Sequence, residues 1–245
     1  MTEETEKPLM DGRWDERTEL LIGTEAADKL RHSHILIVGT GGVGGYAAEM
    51  LCRAGVGRLT LVDADVVNPS NINRQIIALH STVGRSKVEV LADRLLDINP
   101  RVKVYPVAAF LKDEAMEELL DAAKYDFVVD AIDSLSPKVF LIALSKRRGL
   151  PVISSMGAGA KRDTSLIEVA DIARSYNCTL ARAVRKRLRK LGISRGVPVV
   201  FSSELPDESS VMEIEGERCK RSTAGTISYM PAIFGCRIAA YVIEK

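Results

Sequence analysis

The sequence predicts an α/β fold: a Rossmann-like, doubly wound and mostly parallel sheet with helices on both faces and a C-terminal mixed extension. Short, continuous apolar runs alternate with amphipathic segments, which is the pattern of buried parallel strands joined by helices. The glycine-rich residues 39–45 follow the first apolar run, and Asp63 ends the second. Strand, glycine turn, helix, strand and acid in this order indicate a nucleotide-binding crossover.

The individual elements follow in chain order. Apolar runs predict strands at 35–38, 58–63, 102–107, 127–131 and 152–155. Helical spacing predicts helices at 43–53, 87–98, 113–122, 137–148 and 180–191. Residues 198–225 are turn-rich and acidic, and we expect a mobile insertion there. Residues 227–243 are expected to form a buried helix that closes the domain. Pro231 and Arg237 interrupt this run, which is shorter than the ~20 residues of a membrane span, so no stable membrane insertion is expected.

Length and composition are those of one globular domain. The chain has 245 residues, of which 46% are hydrophobic, and its formal net charge of +1 gives no global signal for nucleic acid. Four scattered cysteines favour a reducing compartment. No apolar run near the start resembles a signal peptide. We therefore expect a cytoplasmic protein.

The glycine turn has a physical role at a phosphate group. Glycine lets the backbone turn tightly and approach a ligand, and the following helix offers unpaired N–H groups and the positive end of its dipole. An acid about 20 residues beyond the turn, here Asp63, accepts hydrogen bonds from ribose hydroxyls. Gly39, Gly41 and Gly44 also have the spacing of a dehydrogenase. The turn by itself therefore leaves a nicotinamide dinucleotide and ATP as alternatives.

The residues beyond Asp63 favour ATP. Arg74 could hold phosphate oxygens through its planar guanidinium group, and Lys87 supplies a mobile positive charge. A nicotinamide oxidoreductase would leave these cations without a role. Through segments 65–75 and 83–87 the chain resembles the ubiquitin-activating-like superfamily, the ATP-dependent adenylating enzymes that include the activators of sulfur-carrier proteins.

This resemblance implies a domain organisation and an assembly. It implies a single ThiF-type ATP-binding adenylation domain over 31–245, and an N-terminal arm and helix over 1–30 that contribute to a homodimer. Arg17 matches an arginine that in this family reaches into the partner's ATP site, where a cation stabilises charge on phosphate oxygens. Arg13 lies nearby and stays an alternative. The residues alone indicate only a solvated arginine on a short helix.

Two acids, Asp130 and Asp133, stand at the end of the fourth predicted strand. Ligands of open α/β sheets bind beyond the carboxyl ends of strands, and Mg²⁺ prefers one or two carboxylates together with phosphate oxygens. By resemblance, Asp133 matches the family's magnesium-holding acid. The alternative from the residues alone is that both acids cap the following helix. The residues expected at the nucleotide, from the patterns and the resemblance together, are Gly39, Gly41, Gly42, Gly44, Asp63, Asp65, Asn71, Arg74, Lys87, Asp130 and Ser134, with catalytic roles for Arg17, Arg74, Lys87 and Asp133.

One branch of the superfamily fits best. Sulfur-carrier activators usually carry two CxxC pairs for structural zinc, whereas this chain has no CxxC and no clustered histidines, so no zinc is expected. Residues 17–23, 156–160, 199–204 and 225–232 are similar to the tRNA threonylcarbamoyladenosine dehydratases. That branch uses ATP to activate the threonyl carboxylate of a modified adenosine in tRNA and then cyclises it. The resemblance thus implies ATP, Mg²⁺ and tRNA, and activation of a ubiquitin-like or sulfur-carrier C-terminus stays the alternative.

A basic helical segment supplies a candidate tRNA contact. Leu180, Val184 and Leu188 form an apolar stripe, so the helix is expected to pack by one face and to expose cations on the other. Such a run is usually only a solvated surface. In a near-neutral chain that resembles a tRNA enzyme, we expect it to contact phosphates. The candidate contacts are Arg182, Arg185, Lys186, Arg189 and Lys190.

The cysteines have different expected roles. Cys219 lies among cations, which could make it a nucleophile or a sulfur-accepting thiol and would then imply a sulfur-relay protein as a partner. Because the ring-closing nucleophile belongs to the substrate, an ordinary loop cysteine is the favoured interpretation. Cys52 and Cys236 fit apolar helical patterns and are expected in the core.

Overall fold

The computed structural model of the chain describes residues 13–111, 114–213 and 222–245. The strands of its main sheet are β1 (His34–Val38), β2 (Arg58–Val62), β3 (Lys103–Val107), β4 (Phe127–Asp130), β5 (Val152–Ser155), β6 (Ile167–Asp171) and β7 (Pro198–Ser202). They lie in the order β3-β2-β1-β4-β5-β7-β6, with every neighbouring pair parallel except β6 with β7. A separate antiparallel pair joins β8 (Val211–Glu213) to β9 (Ser222–Ala224). The predicted fold class is confirmed, including its mixed C-terminal part.

Helices connect these strands. Those of the described residues are α1 (Glu16–Ile22), α2 (Thr24–His32), α3 (Gly44–Arg53), α4 (Lys87–Ile98), α5 (Glu114–Asp121), α6 (Leu135–Arg147), α7 (Thr179–Lys190) and α8 (Tyr229–Ile243). The predicted bounds of α3, α4, α6 and α7 hold within two residues. Leu30 of α2 belongs to the main core, so this helix packs onto the domain. The division of the chain at residue 30 stays a prediction.

The winding of the sheet creates a crevice beside β1. From β1 the chain moves outwards to β2 and β3, then returns to the other side of β1 as β4. Val38, the last residue of β1, therefore lies beside Val62 on one side and Asp130 on the other. Ligands of doubly wound sheets bind at this reversal, outside the carboxyl ends of the strands.

Both faces of the sheet are covered, because successive side chains of a strand point to opposite faces. Ile37 packs in a cluster with Leu51 of α3 and Ile238 of α8. Its neighbour Leu36 packs in a second cluster with Met116 of α5. β1 is accordingly buried on both faces, as its continuous apolar run predicts.

The closing helix α8 packs tightly on α3. A Cβ atom placed on Gly235 would lie 2.5 Å from the carbonyl oxygen of Val43 and 2.7 Å from Cβ of Tyr46, so the two helices meet where only glycine fits. This confirms the prediction of a buried helix within 227–243. No helix within the described parts of the chain is long and apolar enough to cross a membrane.

The expectation of a mobile insertion over 198–225 is wrong in its first part. Residues 198–202 form β7, an inner strand between β5 and β6 in which residues 199–202 are buried. The acidic residues that follow it obscured this short apolar run. The antiparallel neighbour β6 was not predicted either, because half-exposed and polar residues interrupt its pattern.

Candidate nucleotide site

The glycine turn between β1 and α3 lies in the crevice. The N–H of Gly39 donates to the carbonyl of Val62 (2.8 Å), and the N–H of Ala131 donates to the carbonyl of Val38 (2.8 Å). Gly39 has a φ of +91°, and a Cβ atom on it would lie 2.6 Å from the Ala131 carbonyl oxygen. Backbone from the next strand therefore presses on the turn at a position where both conformation and space require glycine.

Asp63 holds this turn from the other side. Its Oδ2 accepts hydrogen bonds from the N–H (2.8 Å) and the hydroxyl (3.1 Å) of Thr40, and its Oδ1 accepts one from the N–H of Asp65 (3.0 Å). The carboxylate is half-buried, and it retains lone pairs for a further donor such as a ribose hydroxyl. The contact of Asp63 with a ribose stays a prediction.

The segment that carries Asn71 and Arg74 forms a compact turn. Asn71 is buried, and its Oδ1 accepts the N–H of Asn68 (3.1 Å). The Arg74 guanidinium donates to the Ser70 carbonyl and to Oδ1 of Asn73, both at 2.8 Å. Asn71 therefore shapes the turn, and Arg74 is the group of the pair that a phosphate could recruit.

Contacts with the glycine turn place this segment at the site. A Cβ atom on Gly42 would lie 3.5 Å from the Arg74 carbonyl oxygen, and one on Gly41 would lie 3.6 Å from Nε2 of Gln75. Gln75 is buried, and its Oε1 has no hydrogen-bond partner among the described residues. Sequence reasoning missed Gln75, although a polar residue directly after Arg74 was a signal.

Lys87 reaches the same region through Asp65. Its Nζ lies 2.7 Å from Oδ2 of Asp65, and its N–H donates to the Asp65 carbonyl (3.1 Å). The lysine side chain is 6% exposed and the aspartate side chain 66%. Since the N–H of Asp65 also bonds Asp63, a continuous set of contacts joins Lys87 to the glycine turn.

Asp133 and Ser134 follow the end of β4, next to the turn. Asp133 is exposed, and the Ser134 hydroxyl donates to its Oδ1 (3.3 Å). One exposed carboxylate beside a phosphate site fits Mg²⁺, which takes most of its ligands from phosphate and water. The described residues contain no group of three or more histidine, cysteine or acidic side chains that could hold a metal by themselves. The absence of zinc stays a prediction.

Asp130 occupies a different place from the one expected. It is fully buried, its Oδ2 lies 2.7 Å from Nζ of Lys138, and it also accepts the Ser154 hydroxyl and the N–H of Ile132. Burial raises the pKa of the Asp130 carboxyl, and the neighbouring Lys138 opposes that shift. The expectation that Asp130 contacts the nucleotide is corrected: it supports the turn before Asp133 from inside the protein.

Lys161 is a second buried lysine that sequence reasoning missed. Its Nζ donates to the carbonyls of Asn177 (3.0 Å), Ser202 (2.6 Å) and Glu204 (2.7 Å). Burial lowers the pKa of this ammonium group. The lysine thereby fixes the chain beyond β5 to the end of β7.

The N-terminal helix α1 presents Arg17 to solvent. Leu20 and Leu21 of the same helix are 80% and 86% exposed, and α1 contains no buried residue. The side chain of Arg13 lies outside the described residues, so the choice between the two arginines rests on sequence.

The basic helix α7 divides its cations between two roles. Those on its exposed side are Arg182, Lys186, Arg189 and Lys190. Arg185 is half-buried and its Nη1 donates to the carbonyls of Ile172 (3.2 Å) and Ser175 (2.7 Å), and its assignment as a tRNA contact stays a prediction. Arg187 donates to the hydroxyl of Ser136 in the first turn of α6 (2.7 Å), which brings α7 next to the loop of Asp133.

The cysteines are only partly where they were expected. Cys52 is buried, and burial raises the pKa of its thiol to about 12. Cys236 is exposed, so its placement in the core was wrong. Cys178 precedes α7, and its Sγ accepts the N–H of Ala181 (3.4 Å) as a helix cap. Cys219 lies outside the described residues.

Comparison with known proteins gives matches that cover most of the chain. A model of the ThiF family matches residues 16–245. The tRNA threonylcarbamoyladenosine dehydratase of Bacillus subtilis is 39% identical over 234 residues, which are 93% of this chain and 92% of the relative. The crystal structure of the Escherichia coli tRNA N6-threonylcarbamoyladenosine dehydratase in complex with ATP superposes with a TM-score of 0.86 at 34% identity, covering 95% of this chain and 93% of the other. The molybdopterin-synthase adenylyltransferase of Salmonella typhimurium is 36% identical, but over only 63% of this chain and 61% of its own length.

Proposed function

From the premise that this chain belongs to the ThiF family, we propose that it is an ATP-dependent tRNA threonylcarbamoyladenosine dehydratase. The relatives that it matches over more than nine tenths of both chains carry that name, and one of them has been crystallised with ATP. The geometric observation that carries the proposal is a glycine turn that Lys87 reaches through Asp65 and Asp63, with the backbone of Arg74 beside Gly42. A nicotinamide enzyme would have no use for both cations.

The proposed chemistry requires two steps. A carboxylate is a poor electrophile, because its leaving group would be oxide. Attack of the threonyl carboxylate on the α-phosphorus of ATP forms an acyl-adenylate and releases pyrophosphate. A nucleophile already present in the modified adenosine then attacks the acyl carbon and expels AMP, so that the substrate loses one water overall. Because both reacting groups belong to one molecule, proximity favours ring closure and no covalent enzyme intermediate is needed.

Each residue of the site has a proposed role in this scheme. The N–H groups that follow the glycine turn would hold phosphate, and Asp63 would accept the ribose hydroxyls. Arg74 and Lys87 would stabilise the negative charge of the leaving pyrophosphate. Asp133 would hold Mg²⁺, which when bound supplies charge neutralisation at the phosphates.

The proposed assembly is a homodimer in which Arg17 completes the partner's site. Leu20 and Leu21 follow Arg17 on α1 and are largely exposed, and apolar side chains of this size gain free energy from burial against a second subunit. The test mixes two inactive variants, Arg17→Ala and Asp133→Ala. Mixed dimers contain one intact site, so activity should return to roughly a quarter of wild type. Absence of rescue, with subunit exchange demonstrated, would contradict action across the dimer.

The exposed cations of α7 are the proposed tRNA contact. Lys186→Ala with Lys190→Ala should weaken tRNA binding and reduce its salt dependence, since each phosphate contact releases counterions. Lys103→Ala on the edge strand β3 is the matched control, because it removes an exposed lysine far from α7. If the α7 variant and Lys103→Ala weakened tRNA binding equally, the effect would be one of overall charge and not of a contact with α7. A tRNA substrate would place the reaction in the cytoplasm, and a sulfur-relay partner is proposed only if Cys219 is needed for activity.

The decisive experiment incubates the protein with ATP and tRNA that carries threonylcarbamoyladenosine, then analyses the nucleosides by mass spectrometry. We expect the modified nucleoside to lose one water, with pyrophosphate and AMP formed in step, and Asp133→Ala to abolish both. Calorimetry should show binding of ATP with Mg²⁺ and not of NAD. An unchanged nucleoside, combined with pyrophosphate release that depends on a sulfur-carrier protein, would support the alternative function instead.

A further inference from the structure

We propose that Asp130 and Lys138 are positioning residues: a buried ion pair that fixes the turn carrying Asp133 and thereby sets the affinity of the site for Mg²⁺-bound ATP. The identity of this ligand rests on the proposed function. The contacts by which the pair holds the turn are observed in the structure and do not depend on that function.

The pair joins three elements beneath the site. Nζ of Lys138 lies 2.7 Å from Oδ2 of Asp130 and donates also to the Ser154 hydroxyl (3.2 Å) and the Ser155 carbonyl (2.9 Å). Neither charged side chain has any exposed surface. Lys138 belongs to α6, Asp130 ends β4 and the serines end β5, so one ammonium group sets the spacing of all three.

The same carboxylate also defines the turn. Its Oδ1 accepts the N–H of Ile132 (3.1 Å), while the N–H of Ala131 bonds the Val38 carbonyl (2.8 Å). Two successive residues of the turn are thus fixed before Asp133 begins. The carbonyl of Ala131 is also the group that lies against Gly39, so a shift of this turn would disturb the glycine turn as well.

An ion pair is a poor way to stabilise a core. Removing two charges from water often costs more than their attraction returns, and apolar residues of similar volume are frequently as stable. What apolar residues lack is direction: a carboxylate with one oxygen on a lysine and the other on a backbone N–H permits few arrangements of the turn. Residues that orient a metal-holding group typically affect metal affinity by about 10- to 100-fold when changed.

The test uses the neutral double variant Asp130→Asn with Lys138→Met, which removes both charges and leaves neither one buried alone. Calorimetry measures ATP affinity with and without Mg²⁺, so turnover is not required. We expect ATP affinity without Mg²⁺ to stay within about threefold of wild type, and the gain in affinity that Mg²⁺ provides to fall about tenfold or more. Ser145→Ala is the matched control. Ser145 is a buried residue of α6 whose hydroxyl bonds only the Leu141 carbonyl among the described partners, so both affinities should be unchanged.

A graded variant covers the case in which the double variant does not fold. Ser154→Ala removes the hydrogen bond that its hydroxyl donates to Asp130 and the one that it accepts from Lys138, and leaves the ion pair in place, so the Mg²⁺-dependent gain should fall by a smaller factor of about two to five. The inference is overturned if the folded double variant keeps the full gain, if ATP affinity falls equally with and without Mg²⁺, or if Ser154→Ala has no effect where the double variant is unfolded. A wild-type protein that shows no gain from Mg²⁺ would instead count against the proposed function, and the positioning role would fail with it.

Discussion

The attachment of α1 to the domain gives the sharpest prediction, because this helix carries Arg17 yet contains no fully buried residue, and only Ile22 at its end packs partly against the main core. Arg31 of α2 holds it by charge. Its guanidinium bonds Oδ2 of Asp15 through two nitrogens, at 3.0 and 3.3 Å, and also bonds the carboxylate of Glu19. The side chain of Asp15 is only 7% exposed, and its Oδ1 has no hydrogen-bond partner among the described residues. Arg31→Met would therefore leave a buried carboxylate without its cation.

The free energy by which Arg31→Met destabilises α1 can be estimated from the hydrogen bonds that Asp15 loses. A hydrogen bond to a charged group contributes about 1.5–3 kcal/mol, and Asp15 receives two from one guanidinium. The Arg31 side chain is one-third exposed, so solvent screening reduces the effect, and we take about 2 kcal/mol for the pair. Local opening of α1 should then increase about 30-fold. The rest of the protein should be little affected, since no core residue of α1 is lost.

Hydrogen exchange and adenylation measured on one preparation test this reasoning. The amides of α1 should exchange about 30-fold faster in Arg31→Met while those of β1 stay protected, and, with Arg17 in its proposed role, AMP formation should fall in proportion to the open fraction of α1. Arg53→Met is the matched control: it removes another arginine ion pair, with Glu49 on α3, that does not touch α1. Unchanged exchange in α1 would refute the assigned attachment. Faster exchange with full activity would mean either that α1 stays mostly closed or that Arg17 takes no part in the reaction.

Three further predictions concern pH, the glycine turn and Cys219. The hydrogen bond from Arg31 lowers the pKa of Glu19. The contribution of Glu19 to holding α1 is therefore complete above the ordinary pKa of 4.5 and declines as the pH falls below it. Hydrogen exchange of α1 across pH 3–6 should show this loss, and a flat profile would contradict it. Gly39→Ala should abolish ATP binding in calorimetry while the circular dichroism spectrum is kept, because its Cβ would lie 2.6 Å from the Ala131 carbonyl oxygen; normal binding would mean that the turn can move. Cys219→Ser should keep most of the cyclisation activity, and a loss of a hundredfold, about 2.7 kcal/mol in activation free energy, would indicate a thioester step.

The parts of the fold that were predictable are those in which one residue pattern has one physical solution. β1 and β4 are largely apolar runs in which every residue is buried, and a strand buried on both faces is what such runs form between helices. The glycine turn was equally clear from its glycine spacing, and the structure requires glycine at Gly39 by φ and space and at Gly44 by space. The strand β7 was not, since its five residues stand directly before an acidic, turn-rich stretch whose composition dominated the interpretation.

The direction of a charged side chain could not be read from its position in the chain. Asp130 and Asp133 lie three residues apart, yet one is fully buried and the other is exposed. Likewise Arg185 lies among exposed cations of α7 but turns inward to two carbonyls. Lys138 and Lys161 would be predicted on the surface by their residue type, since lysine is almost never fully buried without partners. Their partners come from other elements and exist only after folding.

These buried lysines explain how the site can keep its remaining cations available for phosphate. Lys138 and Lys161 are engaged by a carboxylate and by carbonyl oxygens inside the protein, so they set geometry and do not compete for a ligand. Lys87 differs, because its counter-ion among the described residues, Asp65, is largely exposed. When a phosphate displaces Asp65, that carboxylate regains water without leaving a buried charge unpaired, whereas loss of Lys138 would leave Asp130 buried alone. The exposure of the counter-ion thus distinguishes a lysine that can exchange partners during a reaction cycle from one that holds the frame in which the reaction occurs.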